Sequence, residues 1–207
     1  MLCSTRRALR TRTETHTDLW RERILDVAEE HFRRIGYKKT SVADIASHLG
    51  MSSANIYRFF PSRAAINTAI CGRIIGQTMR SAASIAQMEG PAYEKLVELF
   101  NQLHRERKNT FLHEKPVHDL VVAATAQNWA IIGAHNKHLV AIIEAIVNDG
   151  IDTGAFRVDA AKAARSLMNA LMPFYHPVLI EQGVRDGVDT EEGLRDQIHF
   201  ILKAIDA

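Results

Sequence analysis

The stretch from residue 40 to 63, TSVADIASHLGMSSANIYRFFPSR, constrains the fold of this chain more than any other segment. Ser41 followed by Asp44 is a helix-start signal of the capping-box type, and the apolar residues after it recur at helical spacing. Gly50 ends this first short helix, because glycine reaches positive φ without a Cβ clash and lets the chain turn. One of the two serines after Met51 then caps a second helix. We therefore predict two short helices joined by a tight turn.

The spacing within this stretch predicts a helix-turn-helix. Ala46 lets the second helix cross closely, Gly50 makes the turn, and Ile56 anchors the second helix to the core. An ordinary helical hairpin inside a core is the alternative, but the outward residues of the second helix are short and polar, which argues against it. Residues 53–55 are expected to reach base edges, and the flanking hydroxyl and arginine side chains to meet phosphates. The predicted DNA-binding residues are Thr40, Ser41, Ser52, Ser53, Ala54, Asn55, Tyr57, Arg58 and Arg63.

Residues 18–78 resemble the DNA-binding domain of the tetracycline-repressor (TetR/AcrR) family of bacterial transcription regulators. Phe59 stands where that family often has His or Tyr, and Arg63-Ala64 where it often has Lys followed by an acid. The resemblance implies a homodimer that reads a palindromic operator with recognition helices about 34–36 Å apart. It also implies a C-terminal domain that binds a small inducer. The matching pieces are Ile24, Ala28, Phe32, Gly36-Tyr37, Thr40-Ser41-Val42, Asp44-Ile45-Ala46, Gly50, Ser52, Ile56-Tyr57 and Phe60.

Helical periodicity continues through the chain and predicts an all-α fold of about nine helices. A three-helix DNA-binding domain at 18–78, with the helix-turn-helix at 41–60, precedes a C-terminal ligand-binding and dimerisation domain at 79–207. The eighth helix, Asp159 to about Glu181, is expected to bend at Pro173 or Pro177. The first helix is expected to begin near Asp18 and to bury Ile24, Leu25, Ala28, Phe32 and Ile35.

The first third of the chain is basic. Residues 1–70 carry 12 Lys plus Arg against 7 Asp plus Glu, a net charge of +5, within a whole chain of +2. This suits a surface that faces phosphates. Residues 1–17, with Arg6, Arg7, Arg10 and Arg12, are interpreted as a flexible basic arm that adds DNA contacts; a solvated tail or a misassigned start are the alternatives. We expect a cytoplasmic protein, because the sequence has neither a signal peptide nor an apolar run of membrane-spanning length. The resemblance to a family of bacterial DNA-binding regulators implies that it is bacterial and nucleoid-associated.

The last two predicted helices carry apolar stripes at spacing typical of an amphipathic helix. Part of each stripe must face the protein's own core, but together they are apolar enough to pair with a second copy as a four-helix bundle. The predicted dimer interface consists of Leu167, Leu171, Leu194, Ile198, Ile201 and Ile205.

Large apolar side chains with interspersed polar groups predict an inducer pocket in the C-terminal domain, although plain core packing without an inducer is the alternative. Without a phosphate cradle or arginine cluster in this region, we expect a mostly apolar organic ligand. The predicted lining is Asn128, Trp129, His135, Met168, Met172 and Tyr175.

The ten histidines raise a second hypothesis, a helical metal-binding protein or enzyme. The segment 113–118, HEKPVH, is one residue longer than the H-E-x-x-H zinc signature, and Pro116 interrupts the helix that this signature needs. His135 and His138 form a conceivable pair but have no acid or cysteine nearby in sequence. We therefore predict no catalytic residue, metal or cofactor, and interpret the chain as a ligand-responsive regulator, a repressor released from double-stranded DNA.

Overall fold

The structure is a computed structural model that describes residues 2–188 and 190–205, with side chains from residue 16 onward. Over this part of the chain it is helical, without strands, which confirms the all-α prediction. Contacts divide the chain into two units, Met1–Gly72 and Arg73–Ala207. The division falls a few residues before the boundary at 78 that the sequence predicts. The helices are α1 Leu2–Ile35, α2 Val42–His48, α3 Ser53–Tyr57, α4 Arg63–Ala86, α5 Ala92–His113, α6 Lys115–Ala126, α7 Ala130–Asp152, α8 Ala160–Ala170, α9 Pro177–Arg185 and α10 Thr190–Lys203.

The first unit is built on α1, α2, α3 and the start of α4. Its core is apolar and fully enclosed, with Phe32 from α1, Ile45 from α2 and Ile56 from α3 each at most 2% exposed. Ile35 is 40% exposed, so the prediction that it belongs to this core was wrong; it lies at the end of α1, beyond the face that packs. The helix α1 begins at Leu2 rather than near Asp18. The arginine side chains of the predicted arm lie outside the described side chains, so their DNA contact stays a prediction.

The second unit is a helical bundle around α7, which packs against α5 and α8. By length and composition α7 is apolar enough to cross a membrane, contrary to the prediction that no apolar run reaches that length. It buries Leu139, Ile143 and Ile146 in the protein's core, and 33% of its most apolar window is buried inside the protein. A single helix of this kind is weak evidence for a membrane span.

The predicted eighth helix is broken rather than bent. The helix α8 ends at Ala170, a 3₁₀ turn covers Met172–Phe174, and α9 begins at Pro177. A proline within a helix removes a hydrogen bond and clashes with the preceding turn, and two prolines four residues apart end it here. The interruption turns Phe174 and Tyr175 toward α5, where both take part in polar contacts.

Candidate DNA-binding surface and ligand cavity

The start of α2 is fixed by the predicted capping box. The amide of Asp44 donates to Ser41 Oγ at 3.1 Å, and the amide of Ser41 donates to Asp44 Oδ2 at 2.8 Å. The hydrogen bond from the Ser41 hydroxyl and the one from its amide hold the pKa of the Asp44 carboxyl below its ordinary value. The helix therefore begins at a defined residue, and this sets the direction of the turn that follows.

The turn between α2 and α3 follows the predicted geometry. Gly50 has φ +66°, a conformation that side chains with a Cβ rarely adopt. Ser52 is the cap of α3, since its hydroxyl accepts from the amide of Asn55 at 3.3 Å. Ala46 and Ile56 are buried, at 2% and 0% exposure, as the close crossing of two helices requires.

The outer side of α3 presents polar groups to solvent. Ala54, Asn55 and Arg58 are exposed, and Tyr57 is 48% exposed, while Ser53 is half-buried. Arg58 Nη1 lies 3.5 Å from Asn55 Oδ1, a long contact that leaves the amide nitrogen of Asn55 available. A short helix with a buried aliphatic anchor and an exposed amide, hydroxyl and guanidinium is suited to a DNA groove.

Two arginines hold this surface in place from outside α3. Arg21 of α1 donates to the carbonyl of Phe59, and its guanidinium lies 4.4 Å from the centroid of the Phe60 ring. Arg63 of α4 donates to the carbonyls of Tyr37 and Lys38 in the α1–α2 turn. The role of Arg21 had no motif in the sequence to reveal it, because it depends on a contact 38 residues away.

Thr40 has a structural role instead of an exposed one. Its side chain is 1% exposed, and its hydroxyl donates to the carbonyl of Gly36 at 3.1 Å. Because this hydroxyl is buried and already bonded to Gly36, it is not placed to contact a phosphate, contrary to the prediction for Thr40. The other predicted DNA-binding residues remain at the surface of the first unit or at its helix caps.

A small cavity lies in the second unit, between α5, α6, α7 and the segment that breaks α8 from α9. Its volume is about 30 Å³, or about 340 Å³ when all the space between the lining atoms and the open solvent at its mouth is included. The smaller volume holds about one water molecule. The lining consists of Arg107, Val121, Thr125, Ile132, His135, Asn136, Met172, Tyr175, His176 and Pro177.

The predicted ligand residues divide into two groups. His135, Met172 and Tyr175 line the cavity. Asn128 and Trp129 do not, because they form the turn between α6 and α7, where Asn128 has φ +51° and the Trp129 indole donates to Gln127. Met168 also lies elsewhere, in the apolar core, at 6% exposure. Large side chains at helical spacing predict burial, but they do not say which of them face a cavity.

The polar groups of the cavity are connected. Tyr175 hydroxyl contacts both Arg107 Nη2, at 3.4 Å, and His135 Nε2. Burial, then the charges of Arg107 and His138, lower the pKa of His135 to about 4. Burial followed by the Arg107 charge also lowers the pKa of His176. Both imidazoles are therefore neutral at pH 7, beside a guanidinium that is permanently charged.

Two further buried histidines tie the helices of this unit together. His104 of α5 lies between the carbonyl of Phe174, at 2.9 Å, and the hydroxyl of Thr190, at 3.1 Å. His118 of α6 contacts Glu181 of α9, with Nε2 2.9 Å from Oε2. Burial lowers the pKa of each imidazole. Burial acts to raise the pKa of Glu181, but the hydrogen bond from His118 and the charge of Lys115 outweigh the effect of burial, so the pKa is lowered.

The histidines do not assemble into a metal site in the described part of the chain. No group of three His, Cys, Asp or Glu side chains there could hold a metal ion. His135 is buried while His138 is exposed, and His113 lies exposed at the end of α5 while His118 bonds to Glu181. The pairs that the sequence placed close together thus face different surroundings.

The apolar stripe predicted to form a dimer interface belongs mainly to the protein's own core. The stripe pattern shows that something covers these residues, and in the structure α5, α7 and α8 cover them. Ile201 is half-buried, but the other five predicted residues, Leu167, Leu171, Leu194, Ile198 and Ile205, are each at most 9% exposed.

The chain matches two family models. The model described as bacterial regulatory proteins, tetR family, matches residues 24–70. The model described as tetracyclin repressor-like, C-terminal domain, matches residues 92–193. The first covers α2, α3 and the adjoining parts of α1 and α4, and the second covers the helices that line the cavity.

Two curated relatives are uncharacterized HTH-type transcriptional regulators of Mycobacterium tuberculosis, MT1294 from strain CDC 1551 / Oshkosh and Rv1255c from strain ATCC 25618 / H37Rv. Each is 35% identical over 97 residues, which is 46% of this chain and 48% of the relative. The match spans about half the length of these relatives.

Among solved structures, a TetR-family transcriptional regulator of Pectobacterium atrosepticum is 15% identical, with a TM-score of 0.68 over 93% of this chain and 97% of that one. The regulator FadR of Bacillus subtilis, solved in complex with stearoyl-CoA, is 17% identical, with a TM-score of 0.62 over 89% and 98%. At these identities the likeness concerns the fold alone.

Proposed function

Because the chain belongs to the tetracycline-repressor (TetR) family of bacterial regulatory proteins, we propose that it represses transcription by binding a double-stranded operator and leaves it when a small molecule binds. The observation that carries the proposal is the capped α2–turn–α3 element with its exposed polar face. No enzymatic activity is part of the proposal, and the expected location is the bacterial cytoplasm, at the nucleoid.

In this proposal the exposed face of α3 reads the operator. Asn55 lies in the first turn, and an asparagine can bond N6 and N7 of adenine together. Arg58, Tyr57 and the hydroxyls of Ser41 and Ser52 position the helix through phosphates, which carry little sequence information. Arg63 adds a phosphate contact beside its bonds to the α1–α2 turn.

A palindromic operator requires two copies of this surface, and we propose a homodimer. The outward sides of α9 and α10 replace the buried stripe as its interface. Phe200 is 73% exposed, Val178 41% and Leu179 39%, and Ile201 is half-buried beside Phe200. Large apolar side chains at such exposure are suited to a second apolar surface.

The proposed ligand site is the cavity of the second unit, and the helix α4 joins it to the DNA-binding unit through the chain. A ligand changes operator affinity when it binds the two states of the dimer differently. A tenfold loss of operator affinity requires about 1.4 kcal/mol of such coupling. FadR of Bacillus subtilis, a structural neighbour, was solved in complex with stearoyl-CoA, which supports ligand binding by a protein of this fold.

The test is binding of the purified protein to DNA from upstream of its own gene, measured by fluorescence anisotropy at several salt concentrations. Asn55→Ala is expected to cost about 1–3 kcal/mol on the operator and to relax sequence preference. Arg58→Ala is expected to weaken binding to all sequences and to reduce the salt slope by about one. Asn169→Ala, an exposed asparagine on α8, is the matched control and should bind like the unaltered protein. Unchanged affinity and selectivity for Asn55→Ala would show that α3 does not read the operator.

A further inference from the structure

The cavity of the second unit contains a buried positive charge without a counter-charge. Arg107 on α5 is 6% exposed, and its guanidinium bonds to the neutral hydroxyl of Tyr175 and lies 5.1 Å from the centroid of that ring. Among the side chains that the structure describes, it forms no ion pair. Burying a charge is costly unless an opposite charge or several hydrogen bonds accompany it. A buried, unpaired guanidinium is suited to binding an anion.

The neighbouring nitrogens of the cavity also lack partners. Arg107 Nε, His135 Nδ1 and His176 Nδ1 are buried and make no hydrogen bond. The Tyr175 oxygen accepts from Arg107, so its single hydrogen is left to donate to His135 Nε2. The proton of the neutral His135 ring then lies on Nδ1, which is a buried donor on a residue that lines the cavity. At least two of the three unpartnered atoms are therefore N–H donors.

We propose that this cavity binds the carboxylate head group of a small organic acid, which Arg107 and His135 hold while the rest of the molecule meets apolar side chains. The proposed inducer would then be an organic acid. Only the effect of its binding, release of the operator, rests on the proposed function. A monoanion balances the single buried charge, whereas a dianionic phosphate would leave a negative charge with two neutral imidazoles beside it.

The remaining lining is suited to the apolar part of such an acid. Val121, Ile132, Met172 and Pro177 line the same cavity as the polar cluster. The cavity volume of about 30 Å³ accommodates a head group at most, so the body of the ligand must extend toward the open mouth of the cavity. Met172 is half-buried and unbranched, and it lies on the 3₁₀ turn between α8 and α9, where it can move aside. The expected ligand is thus mostly apolar, as the sequence predicts, but carries a charged group at one end.

The first test compares acids with their uncharged amides on the full chain by isothermal titration calorimetry. The probes are butanoate, hexanoate, octanoate, benzoate and phenylacetate, each beside its primary amide, together with inorganic phosphate. At least one acid is expected to bind about tenfold more tightly than its amide, and Arg107→Met should abolish that difference. Arg105→Met, on the same helix but exposed and paired with Glu98, should preserve it. Equal binding of acids and amides, binding of phosphate alone, or no binding by any acid would overturn the proposal.

The second test measures the thermal stability of the free protein, which separates a ligand-binding arginine from a structural one. Removing an unpaired buried charge is expected to raise the Tm of Arg107→Met by about 2–4 °C relative to Arg105→Met. A structural arginine predicts a fall in Tm, and a fall together with unchanged acid binding would refute the ligand role.

A labelled operator distinguishes the two proposals. If an acid binds through Arg107 and operator affinity stays unchanged, the carboxylate site is supported, but the proposal that the acid releases the operator is refuted. If an amide releases the operator as well as its acid does, induction stands and the carboxylate inference fails. Release by the acid that Arg107→Met abolishes and Arg105→Met retains supports both.

Discussion

The end of α7 depends on a glycine that no other residue can replace without moving the core. A Cβ built on Gly150 would lie 2.2 and 2.4 Å from Cδ2 and Cε2 of Phe156, and 3.0 Å from Cβ of Ala92. Carbon atoms pack at about 3.5–4.0 Å from one another, so the Phe156 ring would have to shift by roughly 1 Å or more. That ring is 3% exposed and belongs to the core of the second unit, so other core side chains would have to move with it.

The magnitude follows from two opposing effects. Glycine to alanine within a helix is favourable by about 0.5–1 kcal/mol, because alanine loses less backbone entropy on folding. Overpacking a closed core costs about 1–3 kcal/mol. Since the displaced atoms belong to a buried ring, we expect the steric cost to exceed the gain. Gly150→Ala should lower the free energy of unfolding by about 1–2 kcal/mol, which corresponds to a fall in Tm of about 2–8 °C.

The same helix supplies the control. Gly133 also lies on α7, is exposed, and has nothing within 4 Å of a Cβ built on it. Gly133→Ala should stabilise by about 0.5–1 kcal/mol. Urea unfolding followed by circular dichroism measures both variants. Adding Phe156→Leu to Gly150→Ala should recover part of the loss, with a coupling free energy of about 1 kcal/mol. If Gly150→Ala stabilised the protein as Gly133→Ala does, the steric reasoning would be wrong.

Two further predictions concern pH and assembly. The pKa of His135 is about 4 in the folded protein and 6.5 in the unfolded chain. Between these pH values the unfolded chain binds a proton that the folded protein does not bind. The stability that is present above pH 6.5 is therefore lost as the pH falls toward 4. Urea unfolding should show about 2 kcal/mol less stability at pH 5 than at pH 7 from this residue, a loss that His135→Gln should reduce; equal stability at both pH values would refute it. Phe200→Glu should give a folded monomer with weakened operator binding by sedimentation and anisotropy, whereas Ile198→Glu should unfold the protein because Ile198 is in its core. A Phe200→Glu protein that remained dimeric would exclude this face as the interface.

The elements that could be predicted from sequence were those specified by neighbours in the chain. Ser41 and Asp44, three residues apart, form the predicted cap, and Gly50 makes the predicted turn with positive φ. Each depends on backbone geometry within one helical turn, so the local sequence carries the whole signal. The bend expected at Pro173 or Pro177 was placed correctly but underestimated, since the two prolines together end the helix.

The features that escaped prediction depend on contacts between distant residues. The stripe through Leu194 and Ile198 showed that this face of α10 is covered, but its periodicity is the same for a core and for a dimer interface. Arg107 is one of two arginines on α5, and its burial becomes apparent only when Tyr175, 68 residues later, lies against it. Three of the residues predicted to bind a ligand therefore line the cavity, but its buried charge was not predicted.

The contacts of the arginines in the first unit also bear on how tightly this surface can hold DNA. Arg21 and Arg63 donate to main-chain carbonyls, and Arg33 pairs with Glu29 at 2.8 Å. Counterion release on binding reflects the cations that actually replace ions at the phosphates, rather than the formal charge of a domain. Because Arg21 and Arg63 are held by main-chain carbonyls, they are less free to move toward phosphates than the net charge of +5 over residues 1–70 suggests. Arg58 at the end of α3 is exposed and makes only a long contact to Asn55, so it remains free to replace counterions beside the residues proposed to read the sequence.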